Sequence, residues 1–204
     1  IGNGSKVEGV TKTPYLGLYE VRIGGEILYT DEKANYLILG EILDAKSRQN
    51  ITQQRVNQLS GINFAELPLE LAIKQVRGSG KRVIATFEDP NCGYCKKLAK
   101  ELMTMDNVTV YTFLTPVLGP DSVKKSEAIW CSPDRVKAWS DWMTANVAPA
   151  AATASCDTAG LQKSVALGEK YRVRGTPTIF LSNGERIPGY VPVAQLEKRM
   201  AGVK

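Results

Sequence analysis

The segment RVIATFEDPNCGYCKKLAKEL, residues 82–102, constrains the fold more than any other part of the chain. Its first seven residues are β-branched and largely apolar, as expected of a strand buried on both faces of a sheet. After the turn DPN come two cysteines two residues apart, Cys92 and Cys95. Cys95, Leu98, Ala99, Leu102 and Met103 then follow the i, i+3, i+4, i+7 spacing of a helix with one apolar face. Pro90 helps to end the strand, and Asn91 is the expected N-cap. Glu88 and Asp89, just ahead of the cysteines, either tune proton transfer or cap, and capping is the reading preferred.

A CxxC pair can be half of a zinc site, an inert staple or a reactive dithiol. Histidine is absent, which removes Ser-His and Cys-His catalytic pairs and most mixed zinc sites. A four-cysteine site would need Cys131 and Cys156, which lie too far apart in sequence to form a second close-spaced pair. A helix N-terminus presents unpaired N–H groups and a partial positive charge, and both favour thiolate over thiol. Cys92 is therefore expected to have a depressed pKa and to be the nucleophile. Lys96 and Lys97, within the next turn, either add positive charge or are simply solvated. Cys95, one turn in and on the apolar face, suits the resolving role, in which it attacks a mixed disulfide on Cys92.

Composition sets looser bounds. The 204 residues carry 26 basic and 21 acidic side chains, scattered rather than gathered into a basic stripe. That pattern argues against a nucleic-acid partner. No apolar run reaches the roughly 18 residues of a membrane-spanning helix. With no initiator Met and no basic-then-apolar leader, an exported protein of this sequence is expected to be a processed form. Four cysteines are an even number, but composition alone does not choose between a reducing and an oxidising compartment.

The chain ahead of residue 81 reads differently. YLGLYEVRI, a Gly24-Gly25 hairpin, EILYT and YLILGEIL suggest three short antiparallel strands within residues 15–43. SRQNITQQRVNQL is polar and only weakly periodic. In FAELPLELAIKQVRGSG, Leu69, Ile73 and Val76 have helical spacing, and Pro68 suits a first turn. The expected organisation is an N-terminal domain over 1–60, a linker helix over 61–80 and a second domain over 81–204. After the CxxC helix come a strand (VTVYTFL), a mostly helical stretch, strands TPTIFL and ERI joined by Asn183-Gly184, and a last helix from about Val193. Trp130, Trp139 and Trp142 in the helical stretch are read as packing residues.

In RGTPTIF, Pro177 stands immediately before a strand, where a cis bond would turn the chain sharply. Strand, CxxC helix, strand, helical insertion, Thr-Pro, Asn-Gly hairpin and final helix, in that order, resemble the thioredoxin fold. CGYC, AIWC with SC in the insertion, GTPTIFLSNG and PGYVP, behind a small β-rich domain, resemble the DsbC/DsbG family of periplasmic thiol:disulfide interchange proteins, the DsbC branch more closely. The resemblance covers nearly the whole chain, closely from residue 81 onward. One departure is the short stretch IGNGSKVEGV where family members usually begin with a helix.

The resemblance implies an α+β N-terminal dimerisation domain with a small antiparallel sheet, a linker helix, and a thioredoxin-like α/β domain with a helical insertion at about 117–172. It implies a disulfide isomerase without cofactor or metal, with Cys92 and Cys95 catalytic. Thr176, Pro177, Gly93 and Tyr94 would contact substrate, the backbone of Thr176 pairing with the substrate strand. Cys131 and Cys156 match the family's structural disulfide, which would close a loop of about 25 residues worth roughly 3.5 kcal/mol. The implied partners are misfolded or mis-oxidised exported proteins, a membrane thiol reductase of the DsbD type, and a second copy of the chain in a homodimer. A DsbG-like reductase and chaperone protecting single cysteines, or a non-catalytic chaperone-like holdase, are the alternatives.

Overall fold

The run Arg82–Glu88 is the central strand of a five-stranded sheet. The computed structural model describes residues 6–203, and the chain divides into two units, Ile1–Ser60 and Gly61–Lys204.

The first unit is a four-stranded antiparallel sheet: β1 (Val7–Lys12), β2 (Tyr19–Ile23), β3 (Glu26–Thr30) and β4 (Leu37–Ile38), followed by helix α1 (Ile51–Leu59). Gly24 and Gly25, with φ of 61° and 80°, form the two-residue hairpin between β2 and β3. Three expectations are corrected. The IGNGSKVEGV stretch supplies the start of an additional strand, β1, although its residues 1–5 lie outside the described ones. The strand read from Tyr15 begins only at Tyr19, because Leu16 and Gly17 have positive φ and turn the chain. The strand read over 36–43 shrinks to Leu37–Ile38. The helix of this unit lies in the weakly periodic segment, where the Asn50 side chain accepts from the Gln53 amide and caps it.

The second unit carries strand order β5-β7-β6-β8-β9, with β5 (Ile73–Arg77), β6 (Arg82–Glu88), β7 (Val108–Leu114), β8 (Thr178–Leu181) and β9 (Arg186–Pro188). The expected linker helix over 61–80 does not form. Two single 3₁₀ turns (Phe64–Glu66 and Leu69–Leu71) lead into β5, which pairs antiparallel with β7 from Ile73↔Thr112 to Arg77↔Val108. Local helical spacing loses here because the open edge of β7 offers backbone partners to the whole strand.

Helix α2 (Gly93–Leu102) and helix α6 (Val193–Ala201) cover one face of this sheet. Ile84, Leu98, Leu102, Val110, Ile179 and Leu196 interlock between them. On the opposite face Phe87 stacks on Phe113, with ring centroids 4.9 Å apart, and meets Phe180 edge-on. Each such side chain, fully buried, contributes about 1.5–3 kcal/mol, so β6 is anchored from both sides. Between β7 and β8 the insertion forms α3 (Pro120–Trp130), α4 (Arg135–Ser140), a π-type turn (Asp141–Ala145) and α5 (Ala159–Lys170). Gly184 in the last hairpin has φ of 85°, and a Cβ there would fall 2.0 Å from the Ile62 carbonyl oxygen. Only glycine fits.

Candidate active site

The end of β6 delivers Cys92 to the head of α2. Asn91 does not cap that helix. Cys92 itself is the N-cap, with the backbone N–H of Cys95 donating to its sulfur at 3.3 Å. A sulfur atom thus takes the place that a capping oxygen usually fills, and negative charge on it satisfies an orphan helix donor. On its other side the Cys92 Sγ lies 3.3 Å from the Thr176 carbonyl oxygen, to which the thiol donates. The Thr176–Pro177 peptide bond is cis. Residues 84 positions apart in sequence therefore meet at one sulfur.

Cys92 and Cys95 are both free thiols. Hydrogen bonding from the Cys95 thiol, then from the Thr176 side chain and the Cys95 and Tyr94 amides, pulls the Cys92 pKa down to about 5, against the opposing effect of partial burial. Cys95 is fully buried, and burial first, then its bond to the Cys92 sulfur, pushes its thiol far above the ordinary range. The two sulfurs of one motif are thereby driven in opposite directions. Lys96 and Lys97 turn to other partners: Lys96 to the Asn146 side chain at 2.7 Å, Lys97 over the Tyr190 ring at 4.4 Å.

The two adjacent carboxylates are not simple caps. Asp89, buried, accepts from the amides of Asn91, Val117 and Leu118 and from the Ser122 hydroxyl, all at 2.7–2.9 Å. It ties the thiol loop to the start of α3. Glu88, 1% exposed, accepts at one oxygen from the Thr86 hydroxyl at 2.7 Å, while its Oε2 has no partner. Burial chiefly raises its pKa to about 8, with the charge on Cys92 adding to the rise.

Of the tryptophans, Trp139 is a buried packing residue, while the indole nitrogens of Trp130 and Trp142 donate to the Asp157 carbonyl at 3.1 Å and the Pro90 carbonyl at 2.6 Å. Lys96 and Lys125 lie over the Trp142 ring at 3.9 and 4.9 Å. Tyr94, 65% exposed, stacks on Tyr190 of the PGYVP stretch at 6.0 Å, and the Tyr190 hydroxyl donates to Glu101. Gly93 lies beside them in open space. Sequence spacing could not reveal the Trp142 and Tyr190 contacts, since each spans dozens of residues. Cys131 and Cys156 form a disulfide, Cα–Cα 5.9 Å, between the end of α3 and the loop ahead of α5. Among the described residues no cluster of three or more acidic, cysteine or histidine side chains is placed to hold a metal ion.

Comparison with known proteins agrees with this geometry. Residues 69–204 match the model of a thioredoxin-like domain, and residues 1–53 that of the disulfide bond isomerase protein N-terminal domain. The probable thiol:disulfide interchange protein DsbC of Bordetella parapertussis is 51% identical over 197 residues, 97% of this chain and 69% of that protein. Thiol:disulfide interchange protein DsbC of Escherichia coli is 32% identical over 200 residues, 96% of this chain and 81% of that protein. The crystal structure of a disulfide interchange protein from Neisseria gonorrhoeae superposes with a TM-score of 0.62 at 41% identity, covering 66% of this chain and 96% of that one. By its two domains, its dithiol and these relatives, the chain belongs to the DsbC family of thiol:disulfide interchange proteins.

Proposed function

We propose that the chain reshuffles incorrect disulfides in exported proteins, with Cys92 as nucleophile and Cys95 as resolving thiol. The observation that carries this reading is the Cys92 sulfur at the first turn of α2, which accepts from the Cys95 amide and has a pKa of about 5. At neutral pH it is a thiolate, ready to attack a substrate sulfur. Attack forms a Cys92–substrate mixed disulfide and expels a substrate thiolate. If that thiolate, or another in the same chain, attacks back to form a new substrate disulfide, Cys92 leaves as thiolate and the substrate is isomerised with no net redox change. If instead Cys95 attacks the Cys92 sulfur, the substrate leaves reduced and a Cys92–Cys95 disulfide remains. A membrane thiol reductase of the DsbD type would then return two electrons.

Thr176 and Pro177 border the sulfur, and Gly93 and Tyr94 form the exposed rim beside it; these four are the proposed substrate contacts. The bridge between Cys131 and Cys156 is proposed to be structural. The first unit supports a homodimer: Val10, Leu37, Ile38, Leu39 and Leu43 are exposed apolar side chains, and β4 leaves a short open edge. Such chemistry and such substrates would put the protein in the periplasm, the compartment proposed for it.

Refolding of a scrambled multi-disulfide protein tests the reading. The reduced chain is expected to restore native activity to the substrate, and the Cys92→Ser variant to restore none. Equal recovery with both would overturn it.

A further inference from the structure

The two flanks of α2 differ in charge. On one, Lys97 lies over the Tyr190 ring and close to Glu101, which accepts from the Tyr190 hydroxyl. Cation and anion are matched there. The other flank runs from Lys96 to the insertion. Lys96 and Lys125 both lie over the indole of Trp142, at 3.9 and 4.9 Å. Burial, and then the charges of Lys125 and Lys100, hold the Lys96 ammonium below its ordinary pKa. Lys96 itself donates to a neutral group, the Asn146 amide oxygen, at 2.7 Å. The carboxylate bonded to this group is Asp121, which pairs with Lys125 and accepts from the Asn91 side chain at 2.7 Å. One carboxylate thus stands against three ammonium groups.

This cationic group borders the thiol loop. Cys92 caps α2 and Lys96 follows four positions later, so the two are neighbours on one side of the helix. The indole that carries both lysines donates to the carbonyl of Pro90, two residues before Cys92. Asn91, immediately before Cys92, holds Asp121. Yet neither Lys96 nor Lys125 is among the groups that lower the Cys92 pKa. Their charge does not serve the thiol. Both side chains are partly exposed, and each ammonium has three N–H donors, of which Lys96 gives one to Asn146. Their placement over the indole orders the two stems before any ligand arrives, so little side-chain freedom is left to lose on binding.

We propose that Lys96 and Lys125, held on Trp142, form a subsite for an Asp or Glu side chain that flanks the target cystine of a substrate chain. The inference rests on the role of Cys92 given above. At neutral pH Cys92 is an anion, and an acidic residue beside the substrate disulfide brings like charge towards it. That repulsion slows the capture of acidic segments by any free thiolate. A carboxylate bound by the two ammonium groups is drawn aside from the sulfur, and it supplies the counter-charge that this flank of α2 lacks. Lys96 and Lys125 act as binding residues here and take no part in the thiol exchange. The subsite therefore sets which cystines are captured first, those with acidic neighbours ahead of those with basic ones.

Two short peptides test this, each with one cysteine as a thiopyridyl mixed disulfide and with either Glu or Lys on both sides of it. Cys92 attacks the peptide sulfur, the S–S bond breaks, and thiopyridone leaves with the electron pair and takes a proton from water. In the full chain carrying Cys95→Ser only this capture is read. Each rate is divided by that of the same peptide with mercaptoethanol, which removes the effect of the flanking charges on the disulfide itself. The Glu peptide should then react about tenfold faster than the Lys peptide at low ionic strength, and added salt should shrink the ratio. In Lys96→Gln/Lys125→Gln the ratio should fall below about twofold. Lys33→Gln/Lys46→Gln, which takes the same charge from the first unit, should leave it as it was. A ratio near one in the parent, or one that survives in Lys96→Gln/Lys125→Gln, would overturn the proposal. An equal loss in Lys33→Gln/Lys46→Gln would also overturn it, by assigning the preference to net charge. Thiopyridone release that survives in Cys92→Ser would instead overturn the reading on which it rests.

Discussion

Cys92 and Cys95 lie three positions apart at the head of a helix and stay free, whereas Cys131 and Cys156 lie 25 apart and are bonded. Both pairs touch one apolar cluster, formed by Ile73, Leu114, Ile129, Trp130, Trp139, Met143 and Leu161. The difference lies in what surrounds each sulfur. Cys92 replaces a capping oxygen and is stabilised as an anion by donors aimed at it. Cys131 ends α3, and Cys156 sits in a turn with its amide bonded to the Thr153 carbonyl. Neither of those is the N-cap of a helix. The bonded pair instead packs against the cluster that contains Cys92 and Cys95, so both pairs meet one apolar cluster.

The sharpest way to break this contrast is to exchange sulfur for oxygen in each pair. Cys92→Ser should abolish isomerase turnover, because a serine hydroxyl cannot form the mixed disulfide. Cys95→Ser should leave mixed disulfides trapped on Cys92, visible by non-reducing electrophoresis. The double variant Cys131→Ala/Cys156→Ala should lose roughly 3–4 kcal/mol of stability in denaturant unfolding, the value of a 25-residue loop closure. It should keep a reactive Cys92. If it lost that reactivity, the bridge would belong to the chemistry and the comparison would fail.

The two pairs should also differ with pH. Cys92 has a folded pKa of about 5, below the roughly 8.5 of a free thiol. Its contribution to the stability of the reduced protein is therefore fully present above about pH 8.5 and lost as pH falls through 5. Melting curves of the reduced protein and of Cys92→Ala should diverge as pH rises from 5 to 8, by a few kcal/mol at most. Alkylation of Cys92 should show a midpoint near pH 5, and Cys95 should label later. Labelling of Cys95 first would reverse the assigned roles. The bonded pair does not titrate.

Much of the reactive pair's setting is legible in the sequence, because β6, the CxxC helix and the Asn183-Gly184 hairpin are local patterns whose residues also agree with the tertiary fold. Three things escape. β5 hides because Leu69, Ile73 and Val76 mimic a helix, and only the free edge of β7, dozens of residues away, makes the segment a strand. Helix α1 hides because it buries little beyond Thr52, so its apolar period is weak. Glu88 and Asp89 look alike in the chain, yet one receives four hydrogen bonds and the other keeps an orphan oxygen. Their fates depend on strand alternation, which turns Glu88 toward α2 and leaves Asp89 in the loop.

The smallest expected effect tests whether the insertion tunes the thiol or only supports it. Asn91, the residue before Cys92, donates from its side-chain amide to Asp121 at 2.7 Å and to the Ser122 hydroxyl at 3.1 Å, both on α3. Asp89 already holds the same junction through the Ser122 hydroxyl and the amides of Val117 and Leu118. Asn91→Ala removes two bonds at a surface site where water can replace them, so it should cost about 0.5–1.5 kcal/mol. None of the groups that lower the Cys92 pKa belongs to Asn91 or α3. The alkylation midpoint should therefore stay near pH 5 in this variant, while its melting temperature falls slightly. A midpoint displaced by a full unit would mean that the insertion reaches the sulfur through the loop, and the division between a reactive helix start and a structural insertion would have to be redrawn.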